Sequence, residues 1–165
     1  MPFSFLPTMV APSVTVLQPE LLKQKGIRLL MLDFDNTIVP YTTSIPQPEM
    51  ENWLHRMLDS EVQLCVVSNS RNDRVKVFCA SYGLPCITRA KKPFSKGIRE
   101  CMSRYKIDAA ACALAGDQIF TDTLGGNCAG VRTILVKPIN NHNFWLKARH
   151  VLEKQFIFAA RKRSV

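Results

Sequence analysis

What the chain lacks narrows it first. No apolar run is long enough to span a bilayer, so a membrane-spanning protein is not expected. The six cysteines, at 65, 79, 86, 101, 112 and 128, include no C-x-x-C pair, and no histidine stands at ligand spacing from two of them. A zinc site is therefore not expected; Cys65 and Cys112 sit inside apolar runs and read as small buried hydrophobes of a reducing compartment. There is no internal repeat and no low-complexity tract, and nothing points to disorder, collagen or a coiled coil. The first 19 residues carry no charged side chain. Pro2, Pro7, Pro12 and Pro19 interrupt any helix there and no basic segment precedes them, so a targeting peptide is not expected either. Acidic residues are in short supply, 13 against 22 Lys and Arg, for a net charge of +9. That balance favours acidic partners such as phosphorylated metabolites, nucleic acid or an anionic membrane surface, without choosing among them; plain solubility accounts for it equally.

What is present suffices for one domain: 165 residues, 47% of them apolar, with a single core. Short apolar runs at 27–32, 62–67, 86–88, 111–115 and 131–136 predict five strands. Helical patterns at 19–25, 48–60, 72–82, 94–105 and 121–128 lie between or beside them, opened by Pro or Asn and closed by Gly. Residues 1–18 read as an extended, irregular segment and 144–165 as a basic helix. Near-continuous apolar strands alternating with helices predict an α/β fold, a Rossmann-like doubly wound parallel sheet of about five strands. In such sheets ligands bind outside the carboxyl ends of the strands.

Those ends carry the polar residues of interest. The first strand delivers Asp33 and Asp35, the second Ser68 and Asn69, and the fourth Asp117 followed by Asp122; Lys91 and Lys92 follow the third. Each alone is an ordinary turn former, cap or solvated charge. Together they make a crevice of carboxylates that repel one another and call for a cation. All-oxygen ligation suits Mg²⁺. A carboxylate such as Asp33 can attack phosphorus, Asp35 two residues on can protonate a leaving oxygen and activate water, and Ser68 can donate to the phosphoryl group.

The succession Asp33-Phe34-Asp35-Asn36-Thr37, then Val66-Val67-Ser68-Asn69, then Lys92-Pro93, then Gly116-Asp117-Gln118-Ile119-Phe120-Thr121-Asp122 resembles the four motifs of the haloacid-dehalogenase-like (HAD) phosphatases. It is most similar to subfamily IIIA and its YqeG-like branch, over roughly residues 15–140. The resemblance implies a phosphoric monoester hydrolase using Mg²⁺. It implies Asp33 as nucleophile and metal ligand, and Asp35 as general acid/base with its carbonyl as a second metal contact. Thr37 would help hold the first loop and Asp35. Thr37, Ser68 and Asn69 fall on the substrate side, Ser68 as phosphate binder. Lys92 rather than Lys91 matches the catalytic lysine, because it directly precedes the proline. Asp117 would be the further metal ligand and Asp122 an indirect one.

Only 30 residues lie between Thr37 and Ser68 and only 22 between Asn69 and Lys92, too few for a large cap domain. An open crevice is expected, of the kind that serves bulky or surface-bound substrates. Residues 144–165 carry six Lys or Arg against Glu153 alone, with Trp145, Leu152 and Phe156 near one helical face. This reads as a closing helix; contact with an anionic membrane surface or RNA is the alternative. Some relatives in fungal mitochondria and plants are phosphatidylglycerophosphate phosphatases, and a phospholipid substrate is expected by that analogy. The expected setting is cytoplasmic, with peripheral membrane contact left open, and nucleic acid is not the expected partner. Two other readings compete: a catalytically silent HAD-like binding module for nucleic acid or a protein, and a phosphotransferase or mutase, which the lack of a cap disfavours.

Overall fold

The computed structural model describes residues 4–140; the basic helix expected at 144–165 lies outside the described residues. In chain order the elements are β1 (Met9–Ala11), α1 (Pro19–Gln24), β2 (Leu29–Leu32), α2 (Pro48–Leu58), β3 (Gln63–Val67) and α3 (Arg74–Ser81). They continue with β4 (Cys86–Ile87), α4 (Lys96–Tyr105), β5 (Cys112–Gly116), α5 (Leu124–Ala129) and β6 (Arg132–Val136). The six strands form one parallel sheet in the order β1-β6-β5-β2-β3-β4.

The pleat explains why the strands read as unbroken apolar runs. Successive side chains point to opposite faces, and both faces are covered. Leu30, Leu32, Leu64, Val66, Ala113 and Ala115 pack with Trp53, Leu54, Met57 and Phe78 of α2 and α3. Leu29, Met31, Cys65, Val67, Cys112 and Leu114 pack on the other side with Ile98 and Cys101 of α4. Pro19 and Pro48 open their helices, where a missing N–H costs nothing, and Gly26 and Gly83 follow helix ends at φ 69° and 63°, a conformation that a Cβ would strain.

The structure adds detail to the expected sheet and helices at two points. The sheet has six strands rather than about five, because the segment read as irregular supplies β1, paired with β6 through Met9↔Ile134 and Ala11↔Val136. Three residues on a sheet edge leave too short a pattern to be read. The pairing is reinforced by side chains: the Thr8 and Thr133 N–H groups each donate to the other's hydroxyl at 3.1 Å, and the Asn127 amide donates to the carbonyls of Ser4 and Leu6. The helix expected at 121–128 is instead a π-helical turn, Ile119–Thr123, running into the short α5.

The topology fixes where chemistry can occur. From β2 the chain moves outward to β3 and β4, then returns to β5 on the other side of β2. The crevice of an open parallel sheet opens at such a reversal, between the carboxyl ends of β2 and β5.

Candidate active site

Asp33 is the first residue past β2, and its N–H still bonds to the Ala115 carbonyl at 2.9 Å, so the ladder holds its backbone rigidly beside β5. One residue past β5 stands Asp117. Asp122 comes from the π-helical turn and folds back over Gly116. Its N–H bonds to the Gln118 carbonyl at 2.9 Å and its Oδ2 accepts from the Gln118 N–H at 3.1 Å. A Cβ on Gly116 would collide with the Asp122 carboxylate, so glycine there is what admits the third acid. One carboxylate oxygen from each of Asp33, Asp117 and Asp122 lies within 4.8 Å of the others, and all three residues are buried.

Lys92 answers two of these charges. Its Nζ donates to Asp33 Oδ1 at 2.7 Å and to Asp122 Oδ1 at 2.6 Å, with the side chain only 1% exposed. Burial works against the ammonium, but Asp122 and Asp33 outweigh it and hold its pKa above the ordinary lysine value. Asp117 has no such partner: its Oδ1 is buried without a hydrogen bond. Burial, then repulsion from Asp33 and Asp122, pushes its carboxyl up to about 9. Burial also raises Asp122, to about 6, against the pull of Lys92. Three clustered carboxylates, one with an unpaired oxygen, served by one lysine, fit a hard divalent cation with oxygen ligands. Asp33, Asp117 and Asp122 are side chains that could hold one.

Lys92 itself is aimed by Asn69, whose amide grips its main chain in both directions. The Lys92–Pro93 peptide is cis. Lys91 is exposed, so the structure distinguishes the two lysines: Lys92 enters the cluster and Lys91 faces solvent. Ser68, nearly inaccessible at the end of β3, accepts from the Ser70 N–H at 3.0 Å and keeps its own hydroxyl proton to donate. Thr37 lies in the loop after β2, with its Oγ1 buried and unpartnered.

The expected site residues thus divide. Asp33, Lys92 and Asp117 come together, and the Asp122 carboxylate lies in the same cluster. Asn69 is occupied with Lys92, so it acts on the site through that lysine. Asp35 does not join the carboxylate cluster; its side chain turns to Arg74, the first residue of α3, and forms an ion pair. Burial raises the Asp35 pKa, with Arg74 opposing and Asp33 adding to the rise. Sequence reasoning does not single out Arg74. Its signal is positional: a helix that follows a parallel strand starts at the carboxyl edge, so a basic residue in its first turn borders the crevice.

Among the described residues no cap intervenes: α2 and β3 fill the span from Thr37 to Ser68, and α3 and β4 the span to Lys92. No helix among these residues is long and apolar enough to cross a membrane.

Residues 1–140 match the family described as mitochondrial PGP phosphatase. The chain is 30% identical over 161 residues to "Probable phosphatase YqeG" of Bacillus subtilis, covering 97% of this chain and 94% of that protein. It is 26% identical over 144 residues to the chloroplastic phosphatidylglycerophosphate phosphatase 1 of Chlamydomonas reinhardtii, covering 81% of this chain and 53% of that one. Among solved structures, the cobalt-bound deoxy-D-mannose-octulosonate 8-phosphate phosphatase of Haemophilus influenzae superposes with a TM-score of 0.56 at 12% identity, over 86% of this chain and 93% of that one. The 2-haloacid dehalogenase of Pseudomonas syringae superposes at 0.53 and 15% identity, over 78% and 99%. The structural likenesses establish the HAD-like fold.

Proposed function

This chain belongs to the mitochondrial PGP phosphatase family, and from that premise we propose that it hydrolyses a phosphomonoester with Mg²⁺ through an aspartyl-phosphate on Asp33, its substrate a phospholipid such as phosphatidylglycerophosphate. The observation that carries this reading is the buried set of Asp33, Asp117 and Asp122 around the Lys92 ammonium, with one Asp117 oxygen left unpaired.

Asp33, Asp117 and Asp122, with the Asp35 carbonyl, would hold the Mg²⁺. When bound, the ion offsets carboxylate repulsion and the negative charge of the phosphoryl oxygens. The remaining work falls to the chain. Ser68 donates its hydroxyl proton to a phosphoryl oxygen, and Lys92, already poised between two carboxylates, faces charge that shifts during transfer. An Asp33 oxygen attacks phosphorus, and the bond from phosphorus to the ester oxygen breaks. Asp35 gives its proton to that oxygen, so the alcohol leaves neutral. Water then attacks the aspartyl-phosphate and gives a proton back to Asp35. The bond from phosphorus to Asp33 breaks, releasing inorganic phosphate and restoring both carboxyl groups.

Three features support a lipid substrate. The crevice has no cap among the described residues. Tyr41, Ile45, Phe94 and Phe120 are exposed, by 58%, 75%, 73% and 37%, on the loops that follow β2, β4 and β5. Basic Arg89 and Lys91 are exposed on that same edge. Apolar tips beside basic side chains suit an anionic bilayer surface. A pocket of about 570 Å³ beside Arg74 is bordered by Ile45, Pro46, Val77, Phe78 and Tyr82, with Glu51 also in its lining.

The test is phosphate release from p-nitrophenyl phosphate and from vesicles carrying phosphatidylglycerophosphate, with Mg²⁺, by wild type and Asp33→Asn. Wild-type turnover of both, lost in the variant, is expected. Absence of metal-dependent turnover on both would favour the binding-module reading instead. Turnover of the aryl ester alone would remove the phospholipid.

A further inference from the structure

Asp35 is set apart from the other acids of the site. Asp33 and Asp122 are held by Lys92, but the Asp35 carboxyl, 20% exposed, has Arg74 as its ion-pair partner. Its backbone is already fixed. Asp35 bridges to Val39, and the Asn36 N–H bonds to the Val39 carbonyl at 2.7 Å, closing a tight loop. What the backbone leaves free is rotation of the carboxyl group about its own side-chain bonds.

Arg74 is built to remove that freedom. Its main-chain N–H bonds to Asn72 Oδ1 at 3.0 Å, which pins the start of α3. From there the guanidinium reaches three acceptors on the loop after β2. Nη2 donates to Asp35 Oδ1, while Nη1 donates to the carbonyls of Tyr41 at 3.0 Å and Thr43 at 3.2 Å. Its charged carbon also stands 5.2 Å from the centroid of the Phe34 ring and 6.0 Å from that of Tyr41, within cation–π reach. An exposed ion pair is worth little because two long side chains must be ordered to make it. Here the guanidinium is ordered by four other contacts, and its planar fork holds its donors in fixed directions toward three acceptors, where an ammonium is a rotating point charge.

We propose that Arg74 is a positioning residue for proton transfer: it binds the Asp35 carboxyl and the loop at 41–43 into one unit, and so sets where the proton donor stands relative to the leaving oxygen. This rests on the reading of Asp35 as general acid/base. A proton donor acts only within hydrogen-bond reach of its target, and a displacement of the order of 1 Å is costly. Arg74 acts through Asp35 and the loop, not on the phosphoryl group.

The chemistry supplies a readout that a purely structural role would not move. A nitrophenolate leaves without a proton, whereas an alkoxide needs one. kcat/KM reports the steps through the first phosphoryl transfer, so the leaving group separates the two cases. For Arg74→Ala, kcat/KM on glycerol phosphate is expected to fall on the order of 100-fold, and on p-nitrophenyl phosphate less than about 10-fold. Added to Asp35→Asn, the Arg74 change is expected to cost at most about 2-fold more, because the group it positions is gone. Guanidinium added to Arg74→Ala is expected to restore part of the alkyl-ester activity. Arg74→Lys, which keeps the charge and loses the fork, carries the same comparison if the alanine variant does not fold. Equal losses on both esters, or full additivity with Asp35→Asn, would overturn the role of Arg74 and leave that of Asp35 intact. An Asp35→Asn protein with undiminished kcat/KM on glycerol phosphate would overturn both.

Discussion

Asn69 and Lys92 are joined by a reciprocal pair of hydrogen bonds: the Asn69 amide donates to the Lys92 carbonyl at 2.8 Å, and its Oδ1 accepts from the Lys92 N–H at 2.7 Å. One side chain at the end of β3 thereby orients the backbone that aims the buried ammonium. Asn69→Ala should cost about 1–2 kcal/mol of stability, read by denaturant unfolding, since it leaves both Lys92 backbone groups unpaired. It should lower kcat on the order of 100-fold with little change in KM, because the ammonium shifts while the rest of the crevice stays. An asparagine that only capped a turn would show the stability loss without the loss in kcat.

Gly116→Ala should act through Asp122. The added methyl would occupy the position of the Asp122 carboxylate and push it from Lys92 and the other acids. The expected cost is about 1–3 kcal/mol, typical of overpacking in a tight interior. A weakened Mg²⁺ dependence should accompany it, seen as a higher Mg²⁺ concentration for half-maximal turnover. Unchanged metal dependence would show that Asp122 is not needed to hold the ion.

The acid cluster predicts how stability depends on pH without metal. Asp117 stays protonated in the folded chain up to about pH 9, against an ordinary value of 3.8. Between those values the folded state binds more protons than the unfolded one, so stability should fall as pH rises through that window. Asp122, raised to about 6, adds to the lower part of it. Lys92, raised above its ordinary 10.5, stabilises throughout the window and loses that effect only at higher pH. Thermal melts in EDTA from pH 5 to 9 should therefore show a declining Tm. Mg²⁺ should raise the Tm more at the alkaline end, because its ligands bind it deprotonated. A Tm that rises with pH in EDTA would contradict the shifts.

Phe94, 73% exposed on the loop before α4, offers a test of the lipid reading. Phe94→Ser should leave folding stability within about 0.5 kcal/mol and activity on p-nitrophenyl phosphate unaltered. Turnover of phosphatidylglycerophosphate in vesicles should fall, and binding to anionic vesicles in a sedimentation assay should weaken with it. Equal vesicle turnover by both proteins would remove Phe94 from the lipid contact.

The sheet and the site were legible in the sequence to different depths. Strands such as β2 and β5 announce themselves because both faces are buried, leaving an uninterrupted apolar run with polar residues just after it. Parallel topology then brings Asp33, Ser68, Lys92 and Asp117 to one edge without any knowledge of side-chain placement. β1 was not legible, because a three-residue edge strand leaves no pattern. Side-chain direction was not legible either. Motif order cannot say that Asp122 folds back over Gly116 into the cluster, because that depends on a π-helical turn. Nor can it say that Asp35 turns away to Arg74, a partner 39 residues along the chain.

The β1 pairing bears on how the protein must be handled. Without residues 4–11 the sheet would end on β6, whose outward N–H and C=O groups now face β1. A bare edge of that kind is a template for a strand from another molecule. Any fusion or cleavage that pulls residues 4–11 off the sheet therefore bares that template, with β5, the strand that leads to Asp117, the next one in.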